Sequence, residues 1–413
     1  MKITNVKGTV DYLPEETALR DYLQSEILKV YSSNGFIRVS TPIIEDIENL
    51  DKSDGGENLN LIFKILKRGD KLSKAVESGD FSENNLADMG LRYDLTLPLT
   101  RYFANNRAKL PFPAKVIQMD RVYRAERPQK GRLREFTQCD VDIIGSDSIY
   151  CEIELISTIT EALLAISLKN FTVKINNRKI LNNLLLNCGF CEKDLMSVCI
   201  TFDKMDKIGA EGVEKELREK EFSEEAVNKF CEFLKNGNFS LDYVKELMPE
   251  DKNVADVEKI IEISRSLSDN KYGIEFDLSL VRGQGYYTGT VFEIVSNDFK
   301  GSIAGGGRYD NLIGKFLGES IPAVGFSIGF ERIFAILSEQ KFVPANAKKK
   351  LAIIFTEETY TACAVKAKEL RKEYDVGLFE RPKKLGKLLD KLENQGYYGA
   401  LVNLDEEIKV FGK

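Results

Sequence analysis

Two adjoining stretches hold the side chains best suited to chemistry. Residues 121–134 read RVYRAERPQKGRLR, five arginines and one lysine in fourteen positions. The next stretch, REFTQCDVDIIG, alternates. A period of two puts Arg134, Phe136, Gln138, Asp140 and Asp142 on one face of a strand, with Thr137, Cys139, Val141 and Ile143 on the other. The second face is ordinary core. The first carries a cation, a ring, an amide and two carboxylates, a row that burial alone would not select. The same alternation puts Arg124 and Glu126 on one face of the preceding strand, with RPQKGR as the turn between the two. Such a surface suits a charged, aromatic-bearing ligand such as ATP. Arginines would take its phosphates and the ring its base, leaving the amide and acids to a second polar substrate. On this segment alone, an exposed hairpin with unselected polar residues is the competing description.

Composition narrows the chemistry. The 413 residues include no histidine. Ser-His-Asp and Cys-His nucleophiles, HExxH zinc sites and imidazole acid–base catalysis are therefore excluded. What remains is arginine, carboxylate, amide, tyrosine and bound ions, a set suited to phosphoryl or nucleotidyl transfer, where positioning and charge neutralisation do most of the catalysis. The seven cysteines are scattered, as in a reducing compartment. Cys188 and Cys191 form a CxxC, but with no histidine and no second pair to complete a zinc site, no protein-held metal is expected. The formal net charge is -6, so the arginine-rich stretch is a local feature of an acidic chain. MKITNVKGTVDYLPEE lacks the apolar run of a signal peptide, and no later stretch approaches the roughly 18 apolar residues of a membrane span. A cytoplasmic protein with no membrane partner is expected.

The elements that must position these groups fall into a large first part and a small second one. Residues 14 to 34 begin at Pro14, carry Leu19, Tyr22, Leu23, Ile27, Val30 and Tyr31 at helical spacing, and stop before Gly35. IRVSTPIIEDI follows as a strand, then a polar stretch to about Leu86 that reads as a loop with a short hairpin. LRYDLTLPLTRYF should turn from strand to helix at Pro98. Charge-rich helical sequence fills about 178–269 and β-type segments return after it, so the helical block reads as an insertion in one catalytic domain, 1–340. Residues 341–413 alternate strand and helix as a compact α/β module, with 15 basic against 11 acidic residues. That net +4 is either a solvated helix face or an RNA phosphate contact.

Two glycine-rich segments complete the set. SLVRGQGYYTGTVFEIV has GxGxxxG spacing, but a β-type run follows where a dinucleotide site would need a helix. IAGGGRYDNLI and PAVGFSIGFERIF supply glycines where backbone must come close to a ligand or another strand, and place Arg332 in the first turns of a helix.

Together these segments resemble the histidyl-tRNA synthetase family of class II aminoacyl-tRNA synthetases over essentially the whole chain. The hairpin resembles class II motif 2, PAVGFSIGFERI motif 3, and GFIRVSTPIIE with its preceding helix motif 1, the dimer element. LVRGQGYYTGTVFE and AGGGRYD resemble the two signature segments of the histidine-specific family, and LRYDLT belongs with them. The resemblance implies an α+β fold: a class II antiparallel sheet with flanking helices, a helical insertion, and a small C-terminal α/β module resembling the anticodon-binding domain. It further implies a homodimer acting as a histidine–tRNA ligase, which activates histidine with ATP and Mg2+ and transfers it to the 3′ end of tRNA(His).

Roles carried over by position follow the period-two face. Arg124 would hold the α-phosphate, Glu126 contact the adenine, Phe136 stack under it, and Arg132 and Arg332 bind the outer phosphates. Asp94, Thr96 and Gln138 would hold the amino group of histidine, while Asp142, Tyr287 and Tyr309 surround its imidazole. Arg282 would stand between carboxylate and α-phosphate as the catalytic cation with Arg124; the alternative is a structural arginine capping the turn at Gly283. Gln129, in the loop, would meet the acceptor end of the tRNA.

Some features depart from the family. Gln284-Gly285 stands where Leu-Asp is common, and the C-terminal module stops short of the usual final helix. The rival expectation is the histidine-sensing regulatory subunit of ATP phosphoribosyltransferase, a non-catalytic relative that typically lacks the C-terminal module and some phosphate-binding arginines. A generic nucleotide-binding protein is a third.

Overall fold

The computed structural model describes residues 3–51, 60–127, 132–202, 204–280, 287–344, 347–404 and 407–412. Gln129, Arg282, Gly283, Gln284 and Gly285 lie outside the described residues. The chain divides into two units, Met1–Lys341 and Phe342–Lys413.

The first unit is built on an eight-stranded sheet. In chain order its strands are β1 (Ile37–Arg38), β2 (Ala114–Tyr123), β3 (Glu135–Ile144), β4 (Phe171–Asn177), β5 (Gly273–Phe276), β6 (Thr290–Ser296), β7 (Phe299–Arg308) and β8 (Ala323–Gly329). Across the sheet they run β1-β2-β3-β8-β7-β6-β4-β5. The two outer pairs, β1 with β2 and β4 with β5, are parallel; every pairing between them is antiparallel. Parallel neighbours require a crossover connection. The helices between Arg178 and Leu267 supply the one between β4 and β5, packed around Phe190, Phe202, Phe230 and Phe233.

Helix α1 (Pro14–Ser33) covers the apolar face of β3. Pro14 occupies the first helical position, where no amide partner is needed, and Glu16 caps the amide of Leu13 at 2.7 Å. Leu19, Leu23, Ile27 and Tyr31 form its buried stripe. The Tyr31 hydroxyl donates to the Cys139 carbonyl at 3.3 Å, tying the helix to the middle of β3. Gly35 then takes a φ of 82°, a value side chains resist, and releases the chain into β1.

Several local expectations are corrected. IRVSTPIIEDI is not one strand: Ile37–Arg38 joins the large sheet, while Ile44–Asp46 pairs with Ala87–Leu91 in a three-stranded sheet completed by Lys64–Leu66. The polar stretch before Leu86 includes a helix, Asp70–Glu77, whose single buried residue, Ala75, left little apolar period to read. Helix α2 (Thr96–Asn106) begins two residues before Pro98, which sits in the first turn where its missing amide costs nothing. Two further helices border the site, α3 (Tyr150–Ala165) and α4 (Phe330–Glu339).

The second unit has a four-stranded sheet ordered Tyr374–Glu380, Lys349–Phe355, Gly399–Leu401, Lys409–Val410. The first three strands are parallel, with the helices Tyr360–Leu370 and Leu385–Asn394 as crossovers, and the last is antiparallel.

Candidate active site

The polar face of β3 forms the floor of a cavity of about 350 Å³. Arg124, Glu126, Arg132, Phe136, Gln138 and Arg332 all line it. The strand before the loop is shorter than the alternation suggested: β2 ends at Tyr123, so Arg124 and Glu126 sit just beyond it. Backbone bonding still aligns them, since the Arg124 amide donates to the Arg134 carbonyl at 2.9 Å and the Ala125 amide to Leu61 at 2.7 Å.

Three guanidiniums converge at this end. Arg124 lies over the Phe136 ring at 5.0 Å and donates from Nε to the Tyr93 carbonyl at 3.0 Å. Glu126 stands 3.9 Å from Arg124 and 3.6 Å from Arg132. Arg332, third residue of α4, donates to the Ser302 carbonyl at the cavity wall. Its proton is held less firmly than an ordinary guanidinium's, first because of burial and then because Arg132 and Arg124 repel it, with Glu293 opposing the shift. Like charges held together in this way form a site for a polyanion.

Further along β3 the arginines give way to carboxyl groups. Asp140 and Asp142 are buried, as is Asp94 on the turn before α2. Asp94 accepts from the Leu97 amide at 3.1 Å through one oxygen; the other is buried with no hydrogen-bond partner, as is the Gln138 side-chain oxygen. Burial pushes the Asp94 carboxyl up to about 6 and Asp142 up to about 7. Asp140 is raised well above the carboxylate range, by burial first and by Asp142 second, despite a hydrogen bond from the Ser327 hydroxyl. Arg124 lowers both Asp94 and Asp140, so it is felt at both ends.

Glycines keep this end open. Register sets Gly325 beside Asp142 on one side and Gly307 on the other. A Cβ at Gly325 would overlap Asp142 Oδ1 and approach the Tyr309 ring to 3.3 Å; one at Gly306 would overlap the Gly325 carbonyl. Tyr309 donates its hydroxyl to Asp142 Oδ1 at 2.6 Å. Its backbone is fixed by its own amide bonding to Ala323 at 2.7 Å and by Arg308, which forms a two-point ion pair with Glu152 of α3 at 2.7 and 2.6 Å. Tyr287 packs into the same cluster as Tyr309, and its ring lies 3.0 Å from where a Gly307 Cβ would be. Thr96 opens α2, and its amide turns toward Asp94. Arg92 anchors that turn: wholly buried, it pairs with Asp120 at 2.8 Å and donates to the Thr41 carbonyl at 2.8 Å.

The structure therefore gathers Arg124, Glu126, Arg132, Phe136, Gln138 and Arg332 at one end of β3, and Asp94, Thr96, Asp142, Tyr287 and Tyr309 at the other. Sequence reasoning passed over Glu331, Arg20 and Tyr12, which meet behind Thr137, and gave Asp140 no role of its own. The one available signal was the place of Asp140 on the alternating face.

No group of three or more His, Cys, Asp or Glu side chains among the described residues is placed to hold a metal. No helix among them is long and apolar enough to cross a membrane.

A family model described as histidyl-tRNA synthetase matches residues 8–333. A histidine–tRNA ligase of Leifsonia xyli subsp. xyli is 39% identical over 98% of this chain and 96% of its own length. One from Christiangramia forsetii is 36% identical over 97% and 92%. A crystal structure of histidyl-tRNA synthetase from a Nostoc species aligns with a TM-score of 0.80 at 28% identity, covering 97% of this chain and 91% of that one. A Bacillus halodurans structure titled as an ATP phosphoribosyltransferase regulatory subunit/histidyl-tRNA synthetase aligns at 0.78, covering 95% and 97%; at 22% identity it speaks only to the fold.

Proposed function

The chain belongs to the histidyl-tRNA synthetase family, and from that membership we propose how its own residues carry the reaction. It is a histidine–tRNA ligase: it activates histidine with ATP to histidyl-adenylate, then transfers the histidyl group to tRNA. The observation that carries the residue assignment is the passage, over the polar face of β3, from three converging arginines at one end to three buried carboxyl groups at the other.

The arginine end takes the triphosphate. Arg332 and Arg132 hold the outer phosphates, Phe136 stacks under the base, and Glu126 accepts from it. The carboxylate end takes the amino acid, whose ammonium meets the unpartnered oxygens of Asp94 and Gln138, with Thr96 beside them, and whose ring meets Asp142, Tyr287 and Tyr309. The substrate carboxylate then attacks the α-phosphorus; a carboxyl–phosphorus bond forms as the bond to the pyrophosphate oxygen breaks. Negative charge gathers at phosphorus between the two ends, where Arg124 stands, and fixed guanidiniums stabilise it without reorganising. Arg282 joins it there on the strength of the resemblance.

Mg2+ enters with the nucleotide. At the arginine end Glu331 is already held by Arg20, Tyr12 and Thr137, and Glu126 stands near Arg124 and Arg132, so the ion would be held chiefly through phosphate oxygens and water, as this hard cation commonly is, and would help neutralise the phosphate charge. Gln129 and its loop meet the tRNA acceptor end, and the basic C-terminal module, 341–413, meets the anticodon. The first unit acts as the catalytic domain with 178–269 as its insertion. A homodimer is supported by exposed Ile37, Ile43 and Ile44 around β1, and the enzyme works in the cytoplasm. The regulatory-subunit reading is weaker, because Arg124 and Arg332 both line the cavity and close relatives over nearly the full length are ligases.

Steady-state kinetics of two variants test the assignment. Arg332→Ala should raise the KM for ATP about tenfold or more with that for histidine little changed, and Asp142→Ala should do the reverse. Variants that move both constants alike would mean that the ends are not separate subsites.

A further inference from the structure

Glu331 is an awkward neighbour for a triphosphate. It lines the same cavity as Arg124, Arg132 and Arg332, and a free carboxylate there would repel the nucleotide and compete for its arginines. Its oxygens are instead fully engaged from behind. Arg20 of α1 grips both, Nη1 to Oε2 at 2.5 Å and Nη2 to Oε1 at 2.9 Å. The Tyr12 hydroxyl donates to Oε2 at 3.2 Å and the Thr137 amide to Oε1 at 3.1 Å.

The Thr137 bond places this pair in the ladder of the sheet. The pairing of β3 with β8 ends at Gln138 opposite Gly329. The next amide on β3 is that of Thr137, and the carboxylate two residues beyond Gly329 takes it. One side chain thus links the β3 backbone, between Phe136 and Gln138, to the helical turn that carries Arg332. Arg20 itself is 9% exposed and enclosed by rings, with its guanidinium carbon 4.0 Å from the Tyr12 centroid, 4.8 Å from Phe330 and 5.2 Å from Phe334; it adds a bond to the Thr137 hydroxyl at 3.3 Å. Burial, then Glu331, pushes the Tyr12 phenol up to about 12, so it stays a donor.

We propose that Arg20 and Glu331 are positioning residues for the nucleotide: the pair silences a carboxylate in the phosphate cavity and locks the first turn of α4 to β3, setting the distance between Arg332 and Phe136. This rests on the reading that the cavity takes ATP. Neither residue touches the reacting atoms. Lysine cannot replace Arg20, because an ammonium has no planar fork to grip two oxygens and sits poorly among three rings.

The test uses the full chain and equilibrium binding. Calorimetry with α,β-methylene-ATP and Mg2+, with histidine titrated separately and melting temperature recorded, is applied to wild type, Arg20→Lys, Arg20→Ala and Glu331→Gln. The expected result is a nucleotide affinity about tenfold weaker in Arg20→Lys and Glu331→Gln and weaker still in Arg20→Ala, with histidine affinity within about twofold of wild type. A purely structural pair would lower the melting temperature and loosen both ligands together, and that outcome overturns the proposal. So does nucleotide binding within twofold of wild type in folded Arg20→Lys, the variant least prone to unfold. A wild-type chain that fails to bind the analogue would instead overturn the ATP reading, and this proposal with it.

Discussion

The Tyr309 hydroxyl lies 2.6 Å from Asp142 Oδ1, and both side chains are almost wholly withdrawn from solvent. That bond lowers the carboxyl's proton affinity, yet burial outweighs it and Asp142 keeps its proton up to about pH 7. A carboxyl this reluctant to ionise in the free protein gains most from a ligand that brings a hydrogen-bond donor or positive charge, as an imidazole ring does.

The free enzyme should accordingly lose stability between about pH 4 and pH 7, where Asp142 is ionised in the unfolded chain but still holds its proton in the folded one. Its folded pKa is raised above the unfolded value, so the associated stability is fully present below about pH 4 and is lost as pH rises through about 7. Asp142→Asn, which cannot ionise, should match wild type in melting temperature near pH 4 and exceed it increasingly up to pH 7, by roughly 4 kcal/mol. A constant difference across that range would mean that Asp142 titrates normally.

Gly325→Ala tests the pocket floor. The added methyl would overlap Asp142 Oδ1 and crowd Tyr309. The KM for histidine should rise by about 100-fold or more while that for ATP changes a few-fold, with a stability cost of roughly 1–3 kcal/mol. Unchanged histidine kinetics in a folded variant would place the substrate ring elsewhere.

Removing the second unit separates the two half-reactions. A chain ending at Lys341, the last residue of the first unit, should keep ATP–pyrophosphate exchange and lose much of its tRNA charging. Loss of exchange in a soluble fragment would make the second unit part of the catalytic fold.

How far the sequence revealed this site depended on whether function followed a period. Alternation over 135–144 separated the polar and apolar faces of β3, and the helical period of α1 marked its buried stripe, because each pattern repeats within one element. Glu331 had no such signal. It adjoins Arg332 on a helix but points about 100° away from it, and its partner Arg20 is 311 positions distant. Arg308 was likewise legible only within a motif, since its role depends on Glu152, 156 positions away. The two short strands at Ile37–Arg38 and Ile44–Asp46 escaped because register with distant partners, and no local pattern, assigns them to different sheets.

Arg282 is assigned through resemblance alone and needs its own test. Arg282→Ala should slow adenylate formation by roughly 10²- to 10³-fold with both substrate affinities much less affected. Single-turnover kinetics within about threefold of wild type would remove it from the mechanism and leave Arg124 as the cation at the reacting phosphorus.

The most direct test is histidine-dependent exchange of labelled pyrophosphate into ATP by the purified full-length chain with Mg2+. The account predicts rapid exchange that requires histidine and is not supported by other amino acids, because adenylate formation is reversible at a site whose polar groups are matched to one side chain. A folded chain that binds histidine but shows no exchange would contradict it and point to a histidine sensor without ligase activity.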